Sequence, residues 1–173
     1  MSIIALLAVV PPPEGAADEV HEWLDVEREI GTPLPSDYKA FIDRYRLGKL
    51  CDFIVVFTPS RENPHVSLSI QIRQKLDVLQ RLASEWGEEL PYPLFPARGG
   101  LLPFGATDNG DVLYWQTSGP PDCWTVVVND ARGPDFDHHD CSMTSFLAEV
   151  ISGQRRCSIF PRSFPQEAVF RSA

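Results

Sequence analysis

The stretch LLPFGATDNGDVLYW, from Leu101 to Trp115, decides how this chain is read. Two runs rich in apolar and aromatic residues flank Asp108-Asn109-Gly110-Asp111. Acid, amide, glycine and acid in four positions are the materials of a calcium loop, and also of a hairpin corner. An EF-type loop spreads its ligands over about twelve positions and closes with Glu. Here Val112, Leu113 and Tyr114 follow Asp111, and no Glu arrives. Asn-Gly between two β-prone runs is the strongest local hairpin signal, because both residues tolerate the positive φ of a type I′ turn. The spacing predicts antiparallel strands meeting at Asn109-Gly110, with Asp108 and Asp111 as surface carboxylates of the corner.

Working outward, CWTVVVND (Cys123 to Asp130) is a third strand after the Gly/Pro-containing gap at 118–122. Upstream, LCDFIVVFTP (Leu50 to Pro59) is β-branched and aromatic, and reads as one more strand. Helical spacing marks the rest. A first helix is expected from about Ala17 to Ile30, with Val20, Trp23, Leu24 and Ile30 on its core face and Gly31 ending it. A second follows Pro35-Ser36 with Tyr38, Phe41, Ile42 and Tyr45, and stops at Gly48. A third covers Leu68 to Trp86 with Ile72, Leu76, Leu79 and Ala83. A last helix, capped by Ser142, carries Met143, Phe146, Leu147, Val150 and Ile151 and ends at Gly153.

Strands joined by short turns imply an antiparallel sheet. Helices grouped before and after them imply a layer on one face. The expected fold is a single α+β domain over 16–153. It is preceded by an apolar segment and Pro-rich link at 1–15 and followed by a basic Phe/Pro tail at 154–173 that docks on the domain.

The chain has 173 residues, 43% apolar and 23% charged, with a formal net charge of −9. That charge disfavours binding to nucleic-acid backbones and suits a basic protein partner. The tail holds four Arg and one Glu, about +3, leaving about −12 on the body. The start, MSIIALLAVVPPP, lacks the basic flank and cleavage signature of a signal peptide, and no run approaches the ~18–20 apolar residues of a membrane helix. The expectation is a cytoplasmic protein. Cys51, Cys123, Cys141 and Cys157 are dispersed, and read as reduced, mostly buried thiols; Cys123 in particular reads as inert packing inside a strand.

Metal chemistry concentrates in DFDHHDC, Asp135 to Cys141. Neighbours on a strand point to opposite faces, so His138 would share a face with Asp140, and His139 with Cys141. Either pair needs further ligands, such as Cys157 or His65, that the spacing does not supply. No metal and no cofactor are expected. There is no nucleophile elbow, phosphate loop or dinucleotide fingerprint, so no catalytic residue is assigned. Trp23 and Trp86 read as core, while Trp115 and Trp124 on adjacent strands are candidates for an exposed face.

WLDVEREIGTPLPSDYKAF, Trp23 to Phe41, resembles the opening of the SUKH superfamily, which groups fungal cell-wall assembly regulators with many bacterial immunity proteins. The matching positions are Trp23, Glu27, Ile30, Gly31, Leu34, Pro35, Asp37, Tyr38 and Phe41. GGLLPFGATDNGDVLYW (Gly99 to Trp115), with Pro103, Gly105 and Gly110, is a second similar block, followed by Trp124 on the next strand. SFLAEVISG (Ser145 to Gly153), with Phe146, Leu147 and Gly153, is the third. One departure stands out: the family continues Y-G-x-G where this chain has Tyr45-Arg46-Leu47-Gly48.

The resemblance implies a non-catalytic protein-binding domain, most simply an immunity protein that neutralises a polymorphic toxin, often a nuclease. A regulatory interaction scaffold is the alternative, and a Cys- or metal-dependent hydrolase a remote one. A basic toxin domain would be met by acidic groups. Two are expected: Asp108 and Asp111 at the hairpin, with Tyr114 and Trp115 beside them as apolar anchors, and Asp18, Glu19 and Glu22 on the first helix.

Overall fold

The computed structural model describes residues 3–13, 22–60, 62–85, 87 and 89–173. The fold is α+β, built on one antiparallel sheet. Helices α1 (Ile4–Val9), α2 (Trp23–Ile30) and α3 (Ser36–Tyr45) come first, then strands β1 (Gly48–Leu50) and β2 (Ile54–Val56). Helix α4 (Leu68–Glu85) precedes β3 (Leu101–Thr107), β4 (Val112–Gln116), β5 (Thr125–Asn129) and β6 (Phe136–His139). Helix α5 (Met143–Ile151) and β7 (Phe170–Ser172) complete the chain. The strand order is β6-β5-β4-β3-β2-β1-β7, and every neighbouring pair is antiparallel.

Alternation along the central strands splits their side chains between two faces. Leu102, Phe104, Leu113, Trp115, Val126 and Val128 belong to the main core, with Leu6 of α1, Tyr38, Phe41 and Ile42 of α3, and Phe146, Leu147 and Val150 of α5. Leu101, Val112, Tyr114 and Val127 form a smaller cluster with Leu79 of α4, against which Leu82 and Tyr92 pack. Helices α1, α3 and α5 therefore share one face, and the far half of α4 supplies part of the cover on the other.

Several local expectations change. The run Leu50 to Pro59 is a hairpin, not one strand. Cys51 and Asp52 have φ of 54° and 51°, and the Phe53 N–H donates to the Leu50 carbonyl at 3.0 Å, which closes a tight turn between β1 and β2. The β3–β4 corner also differs in type. Only Gly110 has positive φ, at 92°, and its N–H donates to Thr107 O at 2.9 Å. Thr107 and Asp111 bracket a three-residue loop, the type I turn with an αL glycine, in place of the two-residue type I′ turn. A Cβ at Gly110 would lie 3.3 Å from the Ala131 Cβ. Gly110→Val is expected to destabilise by about 2 kcal/mol, because a β-branched residue resists positive φ. A urea midpoint equal to the parent's would contradict this.

Ser142 does not cap α5 through its side chain. Its hydroxyl bonds Ser145 Oγ at 3.2 Å. Asp37 of α3 does the capping from 107 positions away: Oδ2 accepts from the Thr144 N–H at 2.9 Å and the Thr144 hydroxyl at 3.0 Å. Similarly, Asp122 Oδ1 accepts from the Ser36 N–H at the start of α3 at 2.6 Å. The departure at Arg46 also leaves a mark. Arg46 takes φ 60° and ψ −152°, a region open almost only to glycine. Arg46→Gly is expected to raise stability by about 1 kcal/mol as released strain exceeds the added chain entropy; a lower melting temperature would show that the arginine's contacts outweigh the strain.

The apolar segment at 1–15 contributes a short helix whose Leu6 is fully buried, and Tyr45 Oη donates to the Val10 carbonyl. In the tail, Cys157 and Phe160 are buried, and β7 pairs with β1 in the register Gly48↔Ser172. That pairing needs glycine at 48, since a Cβ there would stand 2.4 Å from the Arg171 carbonyl oxygen and the Phe170 ring.

Candidate interaction surface

The residues expected to meet a partner do not lie together. Trp115 and Tyr114 are each 1% exposed. Trp115 packs edge-on to Tyr38 (ring centroids 5.2 Å apart) and against Phe104 (4.8 Å) and Trp124 (5.9 Å). Tyr114 sits in the second cluster, and burial drives its phenol pKa up. Trp124 is buried too, its indole N–H donating to the Gly119 carbonyl at 3.1 Å. None of these rings lines an exposed face, because both faces of the central strands are covered.

Asp111 is also internal. It is 3% exposed, its Oδ2 accepts from the Thr107 hydroxyl at 2.7 Å, and its Oδ1 accepts from the Ala131 N–H at 3.2 Å. The carboxylate fastens the corner instead of facing solvent. Asp108 does reach the surface, where Lys49 Nζ contacts both its oxygens at 2.7 and 2.9 Å. The hairpin therefore offers one carboxylate, already partnered. Asp18, Glu19, Val20 and Trp86 lie outside the described residues. Glu22 is exposed at the entry of α2.

Leu24 was expected on the core face of the first helix, but it is 75% exposed. Trp23, Val26 and Ile30, each partly buried, are the α2 residues that pack against the core. Leu24 stands among exposed Glu22, Asp25 and Glu29, with Arg28 bonded to Asp25 at 2.6 Å. Helical spacing alone did not separate Leu24 from Trp23, since adjacent residues on a helix differ by only about 100°.

The family-motif residues are scaffold. Gly31, with φ 87°, turns the chain out of α2. Glu27 Oε1 accepts from the Leu34 N–H at 2.8 Å and pairs with Lys39, whose Nζ also lies 5.8 Å over the Trp23 ring. Tyr38 Oη donates to the Phe57 carbonyl at 2.7 Å and its ring meets Trp23 edge-on. Leu34, Pro35 and Phe41 are buried, as are Pro103 and Gly105 on β3 and Phe146 and Leu147 on α5. A Cβ on Gly105 would come within 2.7 Å of Val55 O across the sheet.

Burial pushes the Glu27 pKa up, but the Lys39 ammonium and the Leu34 N–H outweigh it and hold the carboxyl below its ordinary 4.5. A carboxyl with a depressed folded pKa binds fewer protons folded than unfolded. Its stabilisation is present above the ordinary value and is lost as pH falls through the folded one. Glu27→Gln is expected to be less stable than the parent near pH 7, with the gap closing as pH falls below the ordinary value and through the depressed folded one. A gap independent of pH in urea titrations would contradict the charged pair.

Two features near the tail bring chemically active side chains together. Asp137, His139 and Cys157 place ligand atoms within 4.8 Å of one another. Cys141, expected beside His139, is not in that group. Burial raises the Cys157 thiol to about 12 and Cys141 to about 11, so neither is a ready nucleophile. The exposed thiol is Cys123, which lies in a 3-10 turn, Pro121–Cys123, and not in the strand expected. Beside Cys157, the tail forms a cleft of about 160 Å³ edged by Arg155, Arg156 and Arg162, room for only a small group. No helix among the described residues is long and apolar enough to cross a membrane.

No curated protein and no solved structure is significantly similar to this chain. The family model described as SMI1-KNR4 cell-wall, SUKH_6, matches residues 21–147. That span runs from α2 through α3, the Asp37 cap and the central sheet into α5, so the match covers the scaffold that the motif residues hold together. The chain belongs to the SMI1-KNR4 cell-wall family of the SUKH superfamily.

Proposed function

We propose that this protein is a non-catalytic binder that captures a basic protein, and that its partner is a polymorphic toxin domain. Family membership carries the reading, because the superfamily it resembles unites immunity proteins with regulatory interaction proteins. The net charge of −9 supports it. A nuclease active site is basic because it holds phosphates, so an acidic protein can approach it quickly and occlude it.

The binding surface we assign is the outer face of α2. Leu24 is an exposed apolar anchor on a helix that also exposes Glu22 and Glu29, while Asp25 is paired with Arg28. Asp18 and Glu19 precede them in sequence and extend the acidic run. Asp108 is a secondary contact, since its partner Lys49 must first be displaced. A regulatory scaffold without a toxin is the second reading, and the cell-wall description of the family model favours it.

Co-expression with the product of the adjacent gene tests the assignment. The toxin reading expects a stable complex on purification and rescue of cells from the toxin domain. Growth arrest that co-expression leaves unchanged, with no complex recovered, would overturn it.

A further inference from the structure

Strand β6 and the segment after α5 bring three metal-ligating side chains from separate parts of the chain to one point. Asp137 and His139 are two positions apart on β6 and share a face. His138 turns the other way, to the surface, where its Nε2 meets Thr125 Oγ1 at 3.0 Å. Cys157 arrives from the tail, 3% exposed. One ligand atom from each lies within 4.8 Å of the other two.

The second observation is a buried nitrogen without a partner. His139 is 3% exposed, and its Nε2 makes no hydrogen bond. It faces Asp137 Oδ2 at 3.5 Å. A buried ring nitrogen that makes no hydrogen bond, with only a carboxylate oxygen at 3.5 Å, has lost its hydration with little compensation. Aimed at a carboxylate and a thiol, it is placed to hold an ion.

We propose that Asp137, His139 and Cys157 form a binding site for a zinc-class divalent cation that staples the C-terminal tail to the edge strand β6. Imidazole, thiolate and carboxylate are the zinc donors, and a mixed N/S/O set disfavours calcium and magnesium. Asp137 is oriented for the task, since Oδ2 accepts from the Ser158 N–H at 2.6 Å and the Ser158 hydroxyl at 2.8 Å. Its side chain is 22% exposed, which leaves a fourth position to water. The neighbouring Arg155 guanidinium is matched by Glu149 at 2.6 Å, so it does not stand as an uncompensated cation. On binding, the Cys157 S–H bond breaks, its proton passes to solvent and the sulfur lone pair goes to the metal; nothing is oxidised or reduced. The site is structural and independent of the binding role proposed above, so either reading can fail without the other.

The test uses the full chain, stripped with chelator, dialysed against Zn²⁺ and assayed for zinc per chain. In parallel, Co²⁺ is titrated into the unmutated protein and followed by absorbance. One zinc per chain is expected, with a higher melting temperature than the metal-free form. The Co²⁺ form is expected to show a thiolate-to-metal charge-transfer band and the strong visible bands of a tetrahedral centre. Cys157→Ser and His139→Gln should each weaken binding by at least about tenfold, while Cys123→Ser binds as the parent does. Far less than one zinc per chain, a cobalt spectrum without the charge-transfer band, or binding undiminished in both variants would overturn the site and leave the cluster a hydrogen-bonded contact.

Discussion

Trp115→Ala is expected to cost about 3–5 kcal/mol of stability, the range for a buried large aromatic replaced by alanine. The indole is 1% exposed and lies at the meeting point of sheet and helices, against Tyr38, Phe104 and Trp124. Its removal leaves a cavity between β4 and α3 that close-packed neighbours refill only in part. Tyr38 is held in place by its bond to the Phe57 carbonyl, which limits collapse into the gap. Urea denaturation measures the loss directly. A change below about 1 kcal/mol would place Trp115 near solvent and restore the hairpin as a partner surface.

Asp37→Ala is expected to cost about 3 kcal/mol, because it strands the Thr144 N–H and hydroxyl, both bonded to one buried carboxylate. Adding Thr144→Val should cost little more, since the hydroxyl then no longer needs a partner; the two changes should be strongly non-additive. Asp37→Asn should lose less than Asp37→Ala, as its amide oxygen can still accept. Equilibrium unfolding of the two single variants and the double variant completes the cycle. Additive losses would mean that Asp37 does not act as the cap of α5.

The fold is most legible in the sequence where the signal is periodic. Helices α3, α4 and α5, the described part of α2 and the central strands stand close to the expected positions because apolar spacing and the residues that stop each element are local. Four features were not local, and one local turn lacked its usual glycine. The cap on α5 comes from Asp37, distant in sequence, so Ser142 drew the assignment that its position invited. Tyr114 and Trp115 looked like a surface pair because alternation predicts opposite faces but not that both faces are covered. Asp111 looked like a turn carboxylate in water, and its internal bonds depend on Ala131 from the next connection. Leu50 to Pro59 hid a turn because Cys51 and Asp52 adopt positive φ without the glycine that usually announces it. The grouping of Asp137 and His139 with Cys157 was invisible to spacing, since it forms only when the tail folds back beside β6.

Under the proposed function, we assign the partner surface to α2 and not to the hairpin. The hairpin keeps one exposed carboxylate, paired with Lys49, whereas α2 exposes Leu24, Glu22 and Glu29 beside an Asp25 paired with Arg28. Steering by such a patch depends on unscreened charge, and the Debye length shrinks from ~10 Å at 0.1 M salt to ~3 Å at 1 M.

The association rate of the protein with the product of the adjacent gene, followed against salt concentration, tests the central claim most directly. The account predicts an on-rate that falls steeply as salt rises. Combined reversal of Asp18, Glu19, Glu22 and Glu29 to lysine should slow association and flatten that dependence, and Asp108→Lys should do so only weakly. An on-rate flat in salt, or one unchanged by the combined reversal, would contradict capture of a basic partner by an acidic surface.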